Sequence, residues 1–200
     1  MSAAPAQAIT FFAFSVAAAG TPGPSNVLLT ATGANVGVLR GLPALLGVAL
    51  GMAWMMFIVT FGLGSVILNH SLVLTGVKWC GVVVLCWFAW KVATARRAGA
   101  ATDGRPVGLI GAAAFQWVNP KSWLVCASAA ATFLHQGAGS ALGQSAVLGF
   151  VFFLACLPSC FPWLAFGAVL QRGLRSERAF RLFNVAMGAL LAASVILFIW

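Results

Sequence analysis

Six long apolar segments fill most of the chain and leave little room for a water-soluble domain. They cover residues 8–39, 42–68, 72–95, 107–134, 141–170 and 179–200. A transmembrane helix needs about 20 mostly apolar residues, and each segment is long enough. The chain is 62% hydrophobic and only 6% charged, whereas about a quarter of the residues in a soluble domain are charged. No segment alternates as barrel strands do, so we predict an all-α integral membrane protein, with six transmembrane helices in a single domain over residues 1–200.

The basic residues are distributed unevenly between the connections of these segments. Three alternate connections hold nine of the eleven Lys and Arg residues, namely Arg40, Lys91, Arg96, Arg97, Arg105, Arg172, Arg175, Arg178 and Arg181. The opposite connections, 69–71 and 135–140, hold none. Because basic loops stay in the cytoplasm, we predict a multi-pass protein with both termini outside. The net charge of +9 then reflects topology, and we expect no nucleic-acid partner.

The N-terminus is predicted to stay in the membrane. Residues 1–10 contain no Lys or Arg, so the positively charged region of a cleavable signal peptide is missing. The apolar run that follows is also longer than the core of a signal peptide. We therefore expect a retained membrane segment.

Two segments are interrupted by residues that break helices. The first contains Thr21-Pro22-Gly23-Pro24, and the fourth contains Asn119-Pro120-Lys121. Proline removes a backbone donor and clashes with the preceding turn, so we expect helices one and four to be broken. They open two three-helix halves of opposite orientation, repeat one (about 8–95) and repeat two (about 107–200), joined by an inside loop at about 96–106. Broken helices at matching places in inverted halves indicate the binding site of a transporter.

A broken helix exposes backbone groups that suit an amino acid. The start of a half-helix offers N–H donors and partial positive charge to a carboxylate, and freed carbonyls suit an ammonium group. We expect N–H groups near residues 25–27 or Lys121 to take the carboxylate, and carbonyls near Thr21 and Asn119 to take the ammonium. Thr30, Thr32 and Ser122 are further hydrogen-bonding candidates. The predicted substrate-binding residues are Thr21, Pro22, Gly23, Pro24, Asn26, Gln116, Asn119, Pro120 and Lys121.

Lys121 is the strongest single candidate for a role in substrate binding or coupling, because it is the only basic residue well inside a predicted span. Such residues face a cavity or a partner. It can hold a substrate carboxylate or exchange a proton during coupling. The alternative is that it caps backbone carbonyls at the break or reaches the membrane interface.

Small residues inside the segments are interpreted as packing residues. Gly47 and Gly51 form a G-x-x-x-G pair, which is typical of close helix packing. The cysteines are odd in number and lie in apolar runs, so a disulfide framework is not expected. They are Cys80, Cys86, Cys126, Cys156 and Cys160.

Several chemistries lack the residues that they require. The only acids, Asp103 and Glu177, lie in predicted inside loops, so the sequence offers no intramembrane carboxylate as a proton relay. It shows neither a metal-ligand cluster nor a base near a serine nucleophile. We therefore expect no metal, no cofactor and no enzymatic activity. Two alternatives stay open: a redox protein with a haem held by His70 and His135, and an assembly subunit that transports nothing.

The motifs together resemble the LysE/RhtB superfamily of amino-acid exporters, over residues from about 8 to 200. Thr21 to Asn26 looks like the T-P-G-P-N signature, with Ser25 where Asn is usual. Asn119-Pro120-Lys121 looks like the N-P-K motif, and Val77 to Gly81 resembles the start of helix three. The resemblance implies a secondary transporter in the bacterial inner membrane. It would export amino acids or small derivatives, driven by the proton gradient, with a passive channel as the alternative and a homo-oligomer possible.

A finer resemblance points to the branch that exports cysteine and O-acetylserine. It rests on Ala89 to Thr94, Phe115 to Asn119 and Ser128 to Phe133. Many members of the superfamily carry an Asp after the helix-two glycine pair, where this chain has Met52. The missing acid leaves the proton carrier unidentified, and it favours a neutral substrate over a dibasic one.

Overall fold

The computed structural model describes residues 3–63, 71–95, 107–134, 140–173 and 176–199. Within these ranges all regular structure is helical, as the sequence predicts. A π-helical turn spans Val59–Leu63. The seven α-helices are α1 (Ala3–Gly20), α2 (Pro24–Ile58), α3 (Ser71–Ala93), α4 (Leu109–Val118), α5 (Pro120–Phe133), α6 (Ala141–Gly173) and α7 (Glu177–Ile199).

Both predicted helix breaks are present. The first apolar segment is divided into α1 and the start of α2 at residues 21–23. The fourth is divided into α4 and α5 by Asn119, whose backbone is extended with φ −89° and ψ 115°. The second helix begins with proline in each case, Pro24 and Pro120. Proline suits a first helical position, because the N–H that it lacks would be unpaired there.

The connection predicted around Arg40 lies at Gly37 instead. Gly37 has φ 78° and ψ 179° inside α2, a backbone conformation that glycine adopts without strain. It divides α2 into an N-terminal part, residues 24–36, and a C-terminal part, residues 38–58. Arg40 is already helical, with an exposed side chain. The prediction misplaced this boundary because it followed the charge, whereas the glycine supplies the change of direction.

Helix α6 is central to the fold, and both parts of α2 pack along it. A Cβ atom on Gly167 would collide with the Thr30 carbonyl, and one on Gly33 would collide with the Leu164 carbonyl. Nearer the start of α6, Gly149 lies against the carbonyl of Ala53. Such glycines let helix backbones approach closely, which stabilises packing where both surroundings are apolar.

The predicted G-x-x-x-G packing is confirmed. A Cβ atom on Gly47 would collide with the Leu109 carbonyl, and one on Gly51 would lie 2.6 Å from the Ala113 carbonyl oxygen. The C-terminal part of α2 therefore lies directly on α4. This contact holds α4, and the break that follows it, against the body of the protein.

Replacing Gly167 with alanine is expected to destabilise the protein by about 1–3 kcal/mol, because the added methyl group meets backbone that cannot rotate away. The midpoint of thermal unfolding in detergent should fall by roughly 2–10 °C. Gly173→Ala on the same helix is the matched control, since nothing lies within 4 Å of its added Cβ. Equal midpoints for the two variants would contradict the proposed packing of α6 on α2.

The outer surface of the helices is apolar. By length and composition, Pro24–Gly62 and Ala141–Leu170 can each cross a membrane, although core helices of soluble proteins also pass that test. Soluble proteins rarely expose large contiguous apolar surfaces. Here large apolar side chains on five helices are at least 70% exposed, namely Ile9, Leu39, Leu72, Trp90, Ile110 and Leu182. This surface matches the hydrocarbon interior of a bilayer.

Candidate functional site

The two helix breaks lie side by side. Ser25 Oγ donates a hydrogen bond to Gln116 Oε1 at 2.8 Å, and Asn119 Nδ2 donates to Ser25 Oγ at 2.9 Å. Lys121 Nζ donates to the Thr21 carbonyl. Residues about a hundred positions apart in the sequence therefore form one polar cluster.

The first break is held by Asn26. Its Nδ2 donates to the carbonyls of Ala19 and Thr21, at 3.0 Å and 2.7 Å. These carbonyls lie at the end of α1, where the helix no longer supplies donors. Asn26 is only 2% exposed, so its amide supplies from a buried position the donors that the end of α1 lacks.

The second break is held by Asn119. Its Oδ1 accepts a hydrogen bond from the Lys121 N–H at 3.1 Å, as the N-cap of α5. Asparagine is among the preferred N-cap residues, because its side chain satisfies a free N–H in the first turn. Cap and proline together start α5 at a fixed place, and this places Lys121 beside the first break.

A cavity lies where the breaks meet α6 and the C-terminal part of α2, in a region with about 340 Å³ of unfilled space that includes the open solvent at its mouth. One wall is polar and is formed mainly by Ser25, Asn26, Gln116, Asn119, Lys121 and Ser122. The other is apolar and rich in sulfur, and is formed mainly by Val48, Met52, Phe152, Cys156 and Cys160. Ligand sites commonly combine an apolar surface with a few placed polar groups.

Five of the nine predicted site residues line this cavity: Gly23, Asn26, Gln116, Asn119 and Lys121. The other four, Thr21, Pro22, Pro24 and Pro120, are not among its lining residues and instead build the two breaks. Thr30 and Thr32 are not among its lining residues either. Their hydroxyls bond carbonyls one turn back on α2. Ser122 does line the cavity, and its Oγ donates to Gln116 Oε1 at 3.1 Å.

Most of the backbone groups expected to bind substrate are already paired in this conformation. The N–H groups of Asn26 and Val27 both bond the Gly23 carbonyl at 3.0 Å, and the Lys121 N–H bonds the cap. The Thr21 carbonyl accepts from two side chains, those of Asn26 and Lys121. The Asn119 carbonyl accepts from the N–H of Ser122. These groups therefore have partners within the protein in this conformation, and their role in substrate binding stays a prediction.

The profile of the LysE type translocator family matches residues 16–199. The chain belongs to this family. It is similar to the cysteine/O-acetylserine efflux protein of Klebsiella pneumoniae, with 32% identity over 62% of this chain and 63% of that protein, just under two thirds of its length. The protein of the same name from Salmonella paratyphi A is 27% identical over 82% of this chain and 84% of its own length. The one from Escherichia coli K12 is 26% identical over 90% and 91%.

No solved structure matches the chain significantly. Membership of the LysE type translocator family confirms the resemblance drawn from the motifs. The apolar outer surface agrees with that assignment.

Charge at the cavity comes from one residue. Lys121 is the only charged side chain among the described residues that line it, and it is half-buried. Met52 also lines the cavity, so the acid that the motif comparison associates with this position would point into the site. In this chain, the position holds the apolar thioether of Met52 instead of a carboxylate.

Two features of the site escaped the sequence analysis. Ser25 joins the breaks through its side chain, and its place in the signature motif was the available signal. Cys156 and Cys160 line the cavity, although they were interpreted as packing residues. The histidines considered for haem, His70 and His135, lie outside the described residues, as does Asp103. Within the described residues, no three His, Cys, Asp or Glu side chains come together as a metal site.

Proposed function

We propose that this protein is a secondary transporter that exports small neutral amino acids or their derivatives from the bacterial cytoplasm. Cysteine and O-acetylserine are the first candidates, because the relatives described above carry those names. The observation that carries the proposal is a cavity with one ammonium group, at the junction of two broken helices, in a chain of a translocator family. We propose translocation of the substrate unchanged, and no catalysis.

In the proposed binding mode, Lys121 takes the substrate carboxylate. Its Nζ now bonds the Thr21 carbonyl. A carboxylate is the better partner, since it adds the attraction between two opposite charges to the hydrogen bond that a neutral carbonyl accepts. Thr21 keeps its bond from Asn26 when Lys121 leaves, so the exchange strands no buried carbonyl.

The substrate ammonium is assigned to Asn26 Oδ1, which now accepts only a weak contact from the Cys160 thiol at 3.6 Å. The substrate side chain then lies against Met52 and Phe152. No Asp or Glu is among the described residues that line the cavity. A second positive charge on the substrate would therefore have no partner, so lysine and arginine are poor substrates.

The proposed architecture is six transmembrane helices, arranged as two inverted repeats in one domain. In its support, each break lies in the first helix of its half, and each is followed by a helix that starts with proline. The C-terminal part of α2 packs on α4, and α6 contacts α1, where Trp163 Nε1 donates to the Gly20 carbonyl at 3.1 Å. These contacts are the exchange expected if the two halves are related by a twofold axis. Alternating access would rock the halves about the cavity.

Membrane location and energy coupling complete the proposal. The distribution of basic residues between the connections supports a location in the inner membrane with both termini outside. Export is coupled to the proton gradient. The carrier of the proton is open to experiment, since the described lining contains no carboxylate. The lipid bilayer and the small-molecule substrate are the proposed partners.

Uptake of labelled cysteine into inside-out membrane vesicles tests this function. We expect saturable uptake that increases when the vesicle interior is made more acidic, and that O-acetylserine competes for. Lysine should not compete. Vesicles from cells without the protein are the control. Uptake that does not saturate indicates a channel, and uptake no greater than in the control vesicles would contradict cysteine export.

A further inference from the structure

Two cysteines form a close pair in the cavity wall. Cys156 and Cys160 lie one turn apart on α6, and their Sγ atoms are 3.6 Å apart. Both side chains line the cavity. Cys126 is buried away from the cavity lining, and Cys86 is exposed on the outer surface. The pair therefore differs from these two cysteines in facing both a partner thiol and the proposed substrate path.

A bond between the two sulfurs requires the turn of α6 at this pair to rearrange. Residues four apart in an α-helix have Cα atoms about 6.2 Å apart, within the roughly 4.4–6.8 Å that disulfides span. Their Cβ atoms, however, are about 5–6 Å apart, and a disulfide needs about 3.5–4.5 Å. Pro158 lies between the cysteines, and Pro162 follows. Each proline removes one hydrogen bond of the helix and loosens the surrounding turn. The two prolines therefore lower the cost of the rearrangement that brings the Cβ atoms of the pair within the range of a disulfide.

The surroundings favour thiol chemistry. The thiolate is the attacking species in thiol–disulfide exchange, and a nearby cation stabilises a thiolate. The Lys121 ammonium lines the same cavity and supplies that cation. A small disulfide that occupies the cavity meets both thiols and the cation together.

The state of the pair is linked to the first break. The Cys160 thiol contacts Asn26 Oδ1 at 3.6 Å and the Ala19 carbonyl at 3.7 Å. Forming a bond to Cys156 removes the S–H that makes these contacts. It also draws Cys160 toward Cys156. Oxidation therefore acts directly on the residue that holds the break and that is assigned to the substrate ammonium.

We propose that Cys156 and Cys160 are a redox-active thiol pair, which a low-molecular-weight disulfide such as cystine oxidises to a disulfide within α6. One thiolate attacks the reagent, forms a mixed disulfide and releases one cysteine. The second thiol then attacks the mixed disulfide and releases the other cysteine. The pair loses two electrons and two protons, which reduce the reagent to two thiols. The effect of oxidation on export rests on the proposed function, but the chemical step does not.

The chemical step is tested on the full chain in detergent, with Cys80, Cys86 and Cys126 replaced by alanine. After treatment with cystine, N-ethylmaleimide labels the remaining thiols and intact mass counts them. We expect two labels before treatment, none afterwards, and two again after dithiothreitol. Adding Cys156→Ser or Cys160→Ser should yield a mixed disulfide with cysteine instead. If both cysteines still react with N-ethylmaleimide after cystine treatment, the proposal is overturned. Peptide mapping of the wild-type chain makes the same test without the alanine replacements.

Transport supplies the second readout. Cystine treatment of wild-type vesicles should lower saturable uptake by about fivefold, since a change beside a coupled site moves function by such factors. Dithiothreitol should restore it. In the Cys156→Ser/Cys160→Ser variant, the ratio of treated to untreated uptake should be one. If the protein transports cysteine but cystine does not oxidise the pair, only this inference is contradicted. If cystine oxidises the pair but the protein transports nothing, only the proposed function is contradicted.

Discussion

Replacing Lys121 with methionine is expected to lower saturable uptake roughly a hundredfold, because losing one partner of a buried charge pair costs about 2–5 kcal/mol. Methionine keeps much of the length and apolar stem of lysine but supplies neither charge nor N–H donors. The fold should survive. The substitution removes the hydrogen bond from Lys121 to the Thr21 carbonyl. Asn26 Nδ2 still donates to that oxygen at 2.7 Å.

Labelled-substrate uptake, normalised to folded protein, measures this effect. Lys91→Met is the matched control, since Lys91 is exposed and its Nζ lies 4.8 Å from the centre of the Trp87 ring. It is not among the cavity residues, so uptake should stay at the wild-type level. A well-folded Lys121→Met protein with wild-type uptake would show that Lys121 only caps a carbonyl. That was the alternative left open by the sequence.

The helix breaks could be predicted because proline acts on its own turn of the backbone. Thr21 to Pro24 and Asn119 to Lys121 each carry the cause of the break within a few residues. The change of direction at Gly37 was not predicted, because a glycine carries no such local signal. Many glycines occur inside membrane helices as packing residues, so the one with a positive φ does not stand out in sequence. The nearby charge at Arg40 was the stronger local signal.

The cavity could be predicted only in part. That the two breaks meet followed from their matching places in the two halves. The pairing of Ser25 with Gln116, 91 residues apart, depends on how the helices pack. The cysteine wall could not be predicted, because α6 is apolar on all sides. A helix of this kind has no amphipathic pattern to show which face meets the cavity.

Replacing Asn26 with leucine is expected to have the second largest effect, because this residue has two roles. Its Nδ2 holds the carbonyls of Ala19 and Thr21, and its Oδ1 is assigned to the substrate ammonium. Leucine is similar in size but has no polar atom. Thr21 keeps its bond from Lys121, but the half-buried Ala19 carbonyl is left with only the weak contact from the Cys160 thiol. Losing such a donor costs about 1–3 kcal/mol, so the unfolding midpoint should fall. Saturable uptake per folded molecule should fall at least about tenfold, since a lost hydrogen bond to a charged group costs roughly 1.5–3 kcal/mol.

Thr30→Val separates this role from a general effect of losing a polar group in α2. The Thr30 hydroxyl bonds the Asn26 carbonyl at 2.9 Å, within the helix, and valine has nearly the same shape. Because a hydroxyl bond of this kind adds little to helix stability, uptake and unfolding midpoint should both stay close to wild type. If Asn26→Leu lowers the midpoint but leaves the uptake of the folded fraction unchanged, Asn26 only holds the break. The substrate ammonium must then bind elsewhere on the polar wall, where Ser25 Oγ is the next acceptor.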